Sequence, residues 1–104
     1  MINTYGKMET YRKAVETFGG LNQVDIAVEE MSELTKALLK HRRAVKNENV
    51  TDEIYDNIAE EMADVSIMLE QLYVIFGNRK NVYQFIEDKT KRLAERIEEY
   101  KNEN

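Results

Sequence analysis

The complete absence of proline from the 104 residues is the feature that most constrains how this chain can fold. Proline interrupts helices because it lacks an amide hydrogen and its ring clashes with the preceding turn. Only four glycines are present, and two of them form the pair Gly19–Gly20. Glu, Lys, Ala, Leu, Met and Arg are abundant, and all favour helix. The chain can therefore form long, uninterrupted helices.

The first half of the chain is predicted to form two helices. Helix 1 covers roughly residues 3–18, and the glycine pair ends it because glycine is the usual residue just past a helix end. Asn22 is the predicted N-cap of helix 2, which runs from about residue 23 to about residue 46. The apolar residues of helix 2 recur at spacings of three, four and seven, as they do on one face of a helix. They are Val24, Ala27, Val28, Met31, Leu34, Leu38 and Val45.

The second half is predicted to form two more helices. Asn49 or Thr51 caps helix 3, which continues to Phe76. Asn81 and Gln84 have the spacing of a capping pair and predict the start of helix 4. Helices 2 and 3 are long, amphipathic and joined by a short connection, so we expect them to pack antiparallel.

These elements predict an all-α fold, an antiparallel bundle of about four helices in a single domain over residues 1–104. Helix 1 is only weakly apolar, whereas helices 2 and 3 have wide apolar arcs. One copy of the chain therefore supplies a thin core. We expect a homo-oligomer, a dimer or a tetramer, to complete it.

The charge and the residue content exclude several classes of function. The net charge of −5 disfavours binding to nucleic acid or to an anionic membrane. The chain has no cysteine, which excludes disulfides and thiolate sites, and no apolar run as long as a membrane span. A cytoplasmic location is the expectation. The basic run Lys40–Arg43 is a local exception, interpreted as a cationic helix end that complements the helix dipole.

Two acidic pairs at helical spacing are the strongest indication of chemistry. Glu30 and Glu33 lie on helix 2, and Glu61 and Asp64 lie on helix 3, each within an E-E-x-x-(E/D) pattern. Residues three apart share one helix face and can share one ligand. Such carboxylates cannot approach one another in a partly dry groove unless they are protonated or bind a cation. Mg²⁺, with Mn²⁺ as the alternative, prefers such oxygen ligands.

Helical-wheel positions separate these acids from their neighbours. At 100° per residue, Glu61 falls within the apolar arc of helix 3 and Asp64 falls at its margin. The pair on helix 2 occupies a comparable, partly buried flank, whereas Glu29 and Glu60 point outward. The single histidine, His41, lies outside both pairs and is interpreted as a surface residue near a helix end. A histidine-containing di-iron site is therefore disfavoured.

Residues 28–43 and 60–72 resemble the MazG-like nucleotide pyrophosphohydrolases of the all-α NTP pyrophosphatase superfamily. The signature of that family is E-x-x-E, a spacer, and E-x-x-D on the next long helix. The resemblance implies Mg²⁺-dependent hydrolysis of a nucleoside triphosphate between its α and β phosphates, and oligomers that share their helical bundles. It assigns Glu30 and Glu33 as the candidate catalytic residues, with Glu33 orienting the attacking water. The implied metal ligands are Glu30, Glu33, Glu61 and Asp64.

The resemblance also implies basic residues on a later helix that bind phosphate. Lys89, Arg92 and Arg96 share one face of helix 4 and are the candidates, although they could equally pair with nearby glutamates. Phosphoribosyl-ATP pyrophosphatases and dimeric dUTPases have a similar acidic arrangement, so their reactions remain alternatives. A non-enzymatic helical oligomerisation module is the other alternative.

Overall fold

The computed structural model describes residues 3–103, which form four helices and no strand, and this confirms the all-α prediction. The helices are α1 (Thr4–Phe18), α2 (Gly20–Lys46), α3 (Asp52–Phe76) and α4 (Arg79–Glu103). At a rise of 1.5 Å per residue, α2 is about 40 Å long and α3 is about 37 Å long. Within residues 3–103, no helix has the length and apolar character that crossing a membrane requires.

The first two helices are separated by one residue, Gly19. Its φ of 91° lies in the region that favours glycine, so the chain changes direction there without a longer loop. α2 therefore begins at Gly20 and has no side-chain cap. The prediction that Asn22 is the N-cap is wrong, because that residue already lies inside the helix.

α2 ends in a Schellman turn that directs the chain back along the bundle. The amide of Asn49 donates to the carbonyl of Ala44 at 2.8 Å, and the amide of Glu48 donates to the carbonyl of Val45 at 3.2 Å. Glu48 takes the left-handed position that glycine usually occupies, with φ of 52°. Thr51, one of the two predicted caps, accepts a backbone hydrogen bond at the start of α3.

α2 and α3 pack together along their lengths, and α1 packs on both of them. Three contacts between α2 and α3 define their register: Gln23 with Gln71, Glu30 with Asp64, and His41 with Tyr55. The residue number falls along α3 as it rises along α2. The two helices are therefore antiparallel, as the sequence predicted.

The interface between α2 and α3 contains small side chains and a buried pair of amides. Ala27, Ala37 and Ala44 are buried on α2, which lets the two helix backbones approach closely. Near the start of α2, the side-chain Nε2 of Gln23 donates to the side-chain Oε1 of Gln71 at 2.7 Å. Both glutamines are only 4% exposed. Because this pair is buried, its hydrogen bond fixes the register of the two helices.

Many apolar side chains of this chain remain on its surface. On α2, Val28, Leu38 and Val45 belong to the predicted apolar set but are each about half exposed. On α4, every residue from Tyr83 to Glu103 is exposed. The radius of gyration is 17.6 Å, whereas a compact domain of about 100 residues has about 13 Å. The single chain therefore leaves much of its apolar surface uncovered.

α4 is attached to the rest of the structure through its first residue, Arg79. The guanidinium donates to the Glu70 carboxylate at 3.1 Å and to the Tyr83 hydroxyl at 2.9 Å. It also lies 4.7 Å from the centre of the Tyr73 ring and 3.6 Å from the sulfur of Met8. Arg79 thereby joins α1, α3 and α4 and fixes the direction in which α4 leaves the bundle.

The predicted start of α4 is wrong. Asn81 was expected to cap this helix, but the helix begins two residues earlier, and Asn81 lies in its first turn. The first backbone hydrogen bond of the helix runs from the Val82 amide to the Asn78 carbonyl at 2.9 Å. The contacts of Arg79 hold the chain in helical conformation from that residue onward.

Candidate metal centre

Three carboxylates from two helices converge in the middle of the bundle. Glu30 of α2 and Glu61 and Asp64 of α3 each place one oxygen within 4.8 Å of the other two. All three residues are half-buried. The spacing of three places Glu61 and Asp64 on one face of α3. The antiparallel register then brings Glu30 opposite them. We refer to these three residues as the acidic centre.

The preceding glutamates on the same helices lie outside this centre. Glu29 and Glu60 are exposed, whereas Glu30 and Glu61 are half-buried. Consecutive residues of a helix are about 100° apart around its axis, so adjacent glutamates face different surroundings. This difference provides matched control positions for the acidic centre.

The surroundings disfavour negative charge on the acidic centre. Burial raises the pKa of Glu30, and the charges of Asp64 and Glu61 raise it further. A hydrogen bond with Asp64, which requires one of the two carboxyls to be protonated, acts in the same direction. Burial likewise raises the pKa of Glu61, followed by the charges of Asp64 and Glu33. The centre therefore takes up protons, or another cation, more readily than separated carboxylates do.

One oxygen of the acidic centre lacks a hydrogen-bond partner. Within the part of the chain that the structure describes, Glu61 Oε2 is buried and accepts no hydrogen bond. A buried carboxylate oxygen without a partner is unfavourable, and such an atom requires an explanation. A ligand at the acidic centre would supply the missing partner.

Glu33 lies beside the acidic centre instead of within it. Its side chain is about half exposed, and its Oε1 accepts from the Lys36 ammonium at 3.3 Å. It is nevertheless close enough for its charge to raise the pKa of Glu30 and of Glu61. Three residues of a helix correspond to a rotation of about 300°, which places Glu33 about 60° from Glu30 on the outer flank. The sequence interpretation did not single out Lys36, although its spacing of three from Glu33 is typical of a helical ion pair.

The other residues singled out in the sequence lie apart from this centre. Lys89, Arg92 and Arg96 are exposed on α4, and among residues 3–103 no contact joins them to the acidic centre. His41 is half-buried, with its ring centre 5.6 Å from that of Tyr55. It is therefore less exposed than the surface residue that was expected, because α3 covers its ring.

The chemistry of the acidic centre fits a hard divalent cation. All its donors are carboxylate oxygens, the ligands that Mg²⁺ and Mn²⁺ prefer. Two ligands of one Mg²⁺ lie at most about 4.2 Å apart, twice the Mg–O distance of about 2.1 Å. The observed limit of 4.8 Å is close to that reach, so small side-chain rotations suffice. A cation there would offset the repulsion among the three carboxylates and pair the orphaned oxygen of Glu61.

Comparisons with known protein families, with curated proteins and with solved structures found no match to this chain.

Proposed function

We propose that this chain is a MazG-like nucleotide pyrophosphohydrolase that hydrolyses a nucleoside triphosphate between its α and β phosphates and depends on Mg²⁺ or Mn²⁺. The observation that carries the proposal is the convergence of Glu30, Glu61 and Asp64 around a buried oxygen that has no partner. The E-x-x-E and E-x-x-D motifs that supply these residues favour this reaction over other metal-dependent ones.

Glu30, Glu61 and Asp64 would hold the metal, and Glu33 is placed to join them from the outer flank. When bound, the metal neutralises charge, polarises the attacked phosphoryl group and lowers the pKa of a coordinated water. Glu33 is half exposed beside the centre, so its carboxylate can accept a proton from a water that enters from solvent. This position suits the role of orienting the nucleophile.

The charge of the site supports a strict dependence on metal. Three carboxylates face one another, and Glu33 adds a fourth negative group at the edge. A triphosphate is itself a polyanion, so this surface would repel it in the absence of a cation. A divalent ion would offset two of these negative charges and would offer a phosphate oxygen a positively charged centre to coordinate. Binding of nucleotide should therefore require the metal.

We further propose that the active form is a homo-oligomer. The accessible surface of the chain is 8542 Å², whereas a compact monomer of this mass exposes about 6,100 Å². The excess of roughly 2,400 Å² is larger than the 800 Å² or so per partner that a stable interface buries. The uncovered residues include many large apolar side chains, among them Phe85, Leu93 and Ile97 on α4. Association of copies through these faces would complete the core.

A nucleotide panel tests the proposed reaction. The full chain is incubated with each common dNTP and NTP, and with phosphoribosyl-ATP, with Mg²⁺ or with EDTA, and pyrophosphate release is recorded. We expect release from at least one nucleoside triphosphate that disappears in EDTA. Cleavage confined to phosphoribosyl-ATP, or to dUTP alone, would assign the alternative reaction. The absence of both turnover and any Mg²⁺ response would favour a non-enzymatic helical module.

A further inference from the structure

α2 and α3 each carry a row of exposed apolar side chains that recurs every seven residues. Seven residues fall only about 20° short of two full helical turns, so each row runs nearly parallel to its helix axis. The side chains are between 38% and 57% exposed. They are Met31, Leu38 and Val45 on α2, and Tyr55, Met62 and Leu69 on α3. We call these six residues the apolar face.

Both rows lie on one side of the α2–α3 pair. Measured from Glu30, which faces α3, the α2 row is rotated by about 60–100° around its helix axis. Measured from Glu61, which faces α2, the α3 row is rotated by about 80–120° in the same sense. Because the helices are antiparallel, rotation in the same sense from their line of contact leads to the same side of the pair. The contact between the rings of Tyr55 and His41 agrees with this placement, because His41 is turned about 20° towards that side.

The exposed edge of the acidic centre lies on the other side of the pair. Glu33 and Asp64 are each rotated by about 60° in the opposite sense from Glu30 and Glu61. Glu33 is half exposed there and pairs with Lys36. A partner that covers the apolar face would therefore leave the acidic centre accessible to ligands.

The side of the pair that bears the apolar face contains no carboxylate. None of the α3 residues between about 20° and about 160° from Glu61 in this sense is charged. The same range on α2 includes only two charged residues, Arg42 and Lys46, and both are near its C-terminal end. The chain has a net charge of −5, so two copies repel each other over much of their surface. Through this side they can approach without bringing carboxylates together.

The apolar face is large enough for a specific interface. Each row extends over two heptads, about 21 Å, and two neighbouring helices with their side chains are about 20 Å wide. With the side chains at both ends included, the flat footprint is about 500 Å² per copy, or about 1,000 Å² over two copies. A specific interface buries at least about this total area. The accessible area of a surface formed by side chains exceeds its flat footprint, so the face meets this requirement.

We propose that a second copy of the chain covers the apolar face, so that the α2–α3 pairs of two copies pack against each other as a four-helix core. This inference rests on the homo-oligomer of the proposed function and assigns its interface. Under a two-fold axis, both copies present the same rows, so apolar side chains meet apolar side chains. Rows that recur every seven residues are typical of helices that pack in such bundles. The exposed edges of the two acidic centres then face outward.

Sedimentation equilibrium of the full chain tests the face through the dissociation constant of the oligomer. The face variant is Leu38→Glu. The control Leu39→Glu makes the same change at the adjacent position, which is 49% exposed against 48% but lies about 100° farther around the helix. A second matched pair on α3 is Leu69→Glu with the control Ile67→Glu, because Ile67 is exposed on the opposite side. Circular dichroism establishes that the variants remain helical.

We expect the wild type to sediment with at least twice its chain mass of 12.2 kDa. Leu38→Glu and Leu69→Glu should each raise the dissociation constant at least about 100-fold, because each places two carboxylates in an apolar interface. Each control should change the dissociation constant less than about threefold. If a glutamate variant unfolds, alanine at the same matched positions provides the test, with an expected difference of about tenfold.

Three results would overturn the inference: a wild type that stays monomeric at millimolar concentration, an oligomer that the face variants leave unchanged, or equal weakening by the face and control variants. Its failure is distinguishable from that of the proposed function. An oligomer that the face variants leave unchanged would refute this interface and leave the proposed oligomer standing. Turnover by a monomeric wild type would remove both the interface and the oligomer but not the reaction. An oligomer that depends on the face, without turnover of any nucleotide, would refute the enzymatic proposal alone.

Discussion

Replacing Glu61 with glutamine should have opposite effects on stability without and with metal. In the wild type, three carboxylates repel one another in pairs, and Glu61 takes part in two of the three pairs. Glutamine has nearly the same shape, but it is neutral and can donate a hydrogen bond to a neighbouring carboxylate. Without metal, Glu61→Gln should therefore unfold at a higher temperature than the wild type.

Mg²⁺ should reverse that order. A ligand present at 100 times its dissociation constant stabilises the folded state by about 2.7 kcal/mol. For a chain of this size, this free energy corresponds to a rise in Tm of roughly 10–20 °C. Glu61→Gln removes one of the three converging carboxylates that we propose as metal ligands. It should lose most of this rise, so that the wild type becomes the more stable protein at saturating Mg²⁺.

The assay is thermal unfolding followed by circular dichroism at 222 nm, at pH 8 and at one fixed protein concentration, across a titration of Mg²⁺. Glu60→Gln is the control, because it makes the same chemical change at the exposed neighbouring position. It should shift Tm by little in either condition, as most surface substitutions do. A lower Tm for Glu61→Gln without metal, or a Mg²⁺ response equal to that of the wild type, would refute this account of the acidic centre.

Three other measurements test separate parts of the structure. Folding raises the pKa values of Glu30 and Glu61 above 4.5. The stability that protonation of these two carboxylates contributes is therefore complete below pH 4.5, and it is lost as the pH rises through the raised pKa values. The rise in Tm with Mg²⁺ should therefore be largest at pH 8 and shrink towards pH 4.5, and a pH-independent rise would contradict this. Arg79→Met should lower the free energy of unfolding in urea by about 2 kcal/mol and should broaden the spin-label distances between α2 and α4. The control Lys13→Met breaks an exposed ion pair and should change the free energy of unfolding by less than about 1 kcal/mol. Equal effects of the two changes would contradict the role of Arg79. Gln71→Leu should lower the free energy of unfolding by about 1–3 kcal/mol, because it leaves the side-chain amide of Gln23 unpaired. The double variant Gln23→Leu/Gln71→Leu should recover most of that loss. Additive losses from the two single changes would contradict the pairing.

The helices and their antiparallel packing could be predicted because they depend on local signals. The lack of proline, the glycines near residues 19 and 77, and the periodicity of apolar residues all act over a few turns. The predicted caps were less accurate. Asn22 and Asn81 have favourable cap chemistry, but with Gly19 before α2 and the contacts of Arg79 in α4, each helix begins two residues before the asparagine that was predicted to cap it. Contacts between distant residues override the preference of a single side chain.

The choice of buried face could not be predicted in full. Val28 and Leu38 fit the apolar periodicity of α2, yet both are exposed, and the buried apolar residues of this helix are the alanines Ala27, Ala37 and Ala44. α2 carries more apolar residues than one neighbouring helix can cover, so periodicity alone does not identify the face that packs within the chain. The remaining apolar side chains stay exposed in the single chain, and we propose that a second copy covers them.

The acidic centre followed from spacing on each helix, since residues three apart share a face. The part that spacing did not reveal is the separation of Glu33 from the other three carboxylates. Its position depends on the rotation of α2 against α3, which is a tertiary property, and on Lys36, which lies one turn away. The same limit applies to α4, whose direction depends on the contacts of Arg79 with Glu70 and two tyrosines.

We propose that the acidic centre uses a divalent metal to hydrolyse a nucleoside triphosphate. The most direct test is ³¹P NMR of the products that wild type, Glu61→Gln and Glu60→Gln form from the best substrate of the nucleotide panel, with Mg²⁺ and with EDTA. We predict that wild type and Glu60→Gln give nucleoside monophosphate and pyrophosphate only with Mg²⁺. Glu61→Gln should form these products at least about 100-fold more slowly, which corresponds to a loss of about 2.7 kcal/mol of transition-state stabilisation. Equal rates in all three proteins, or products that form in EDTA, would contradict the claim.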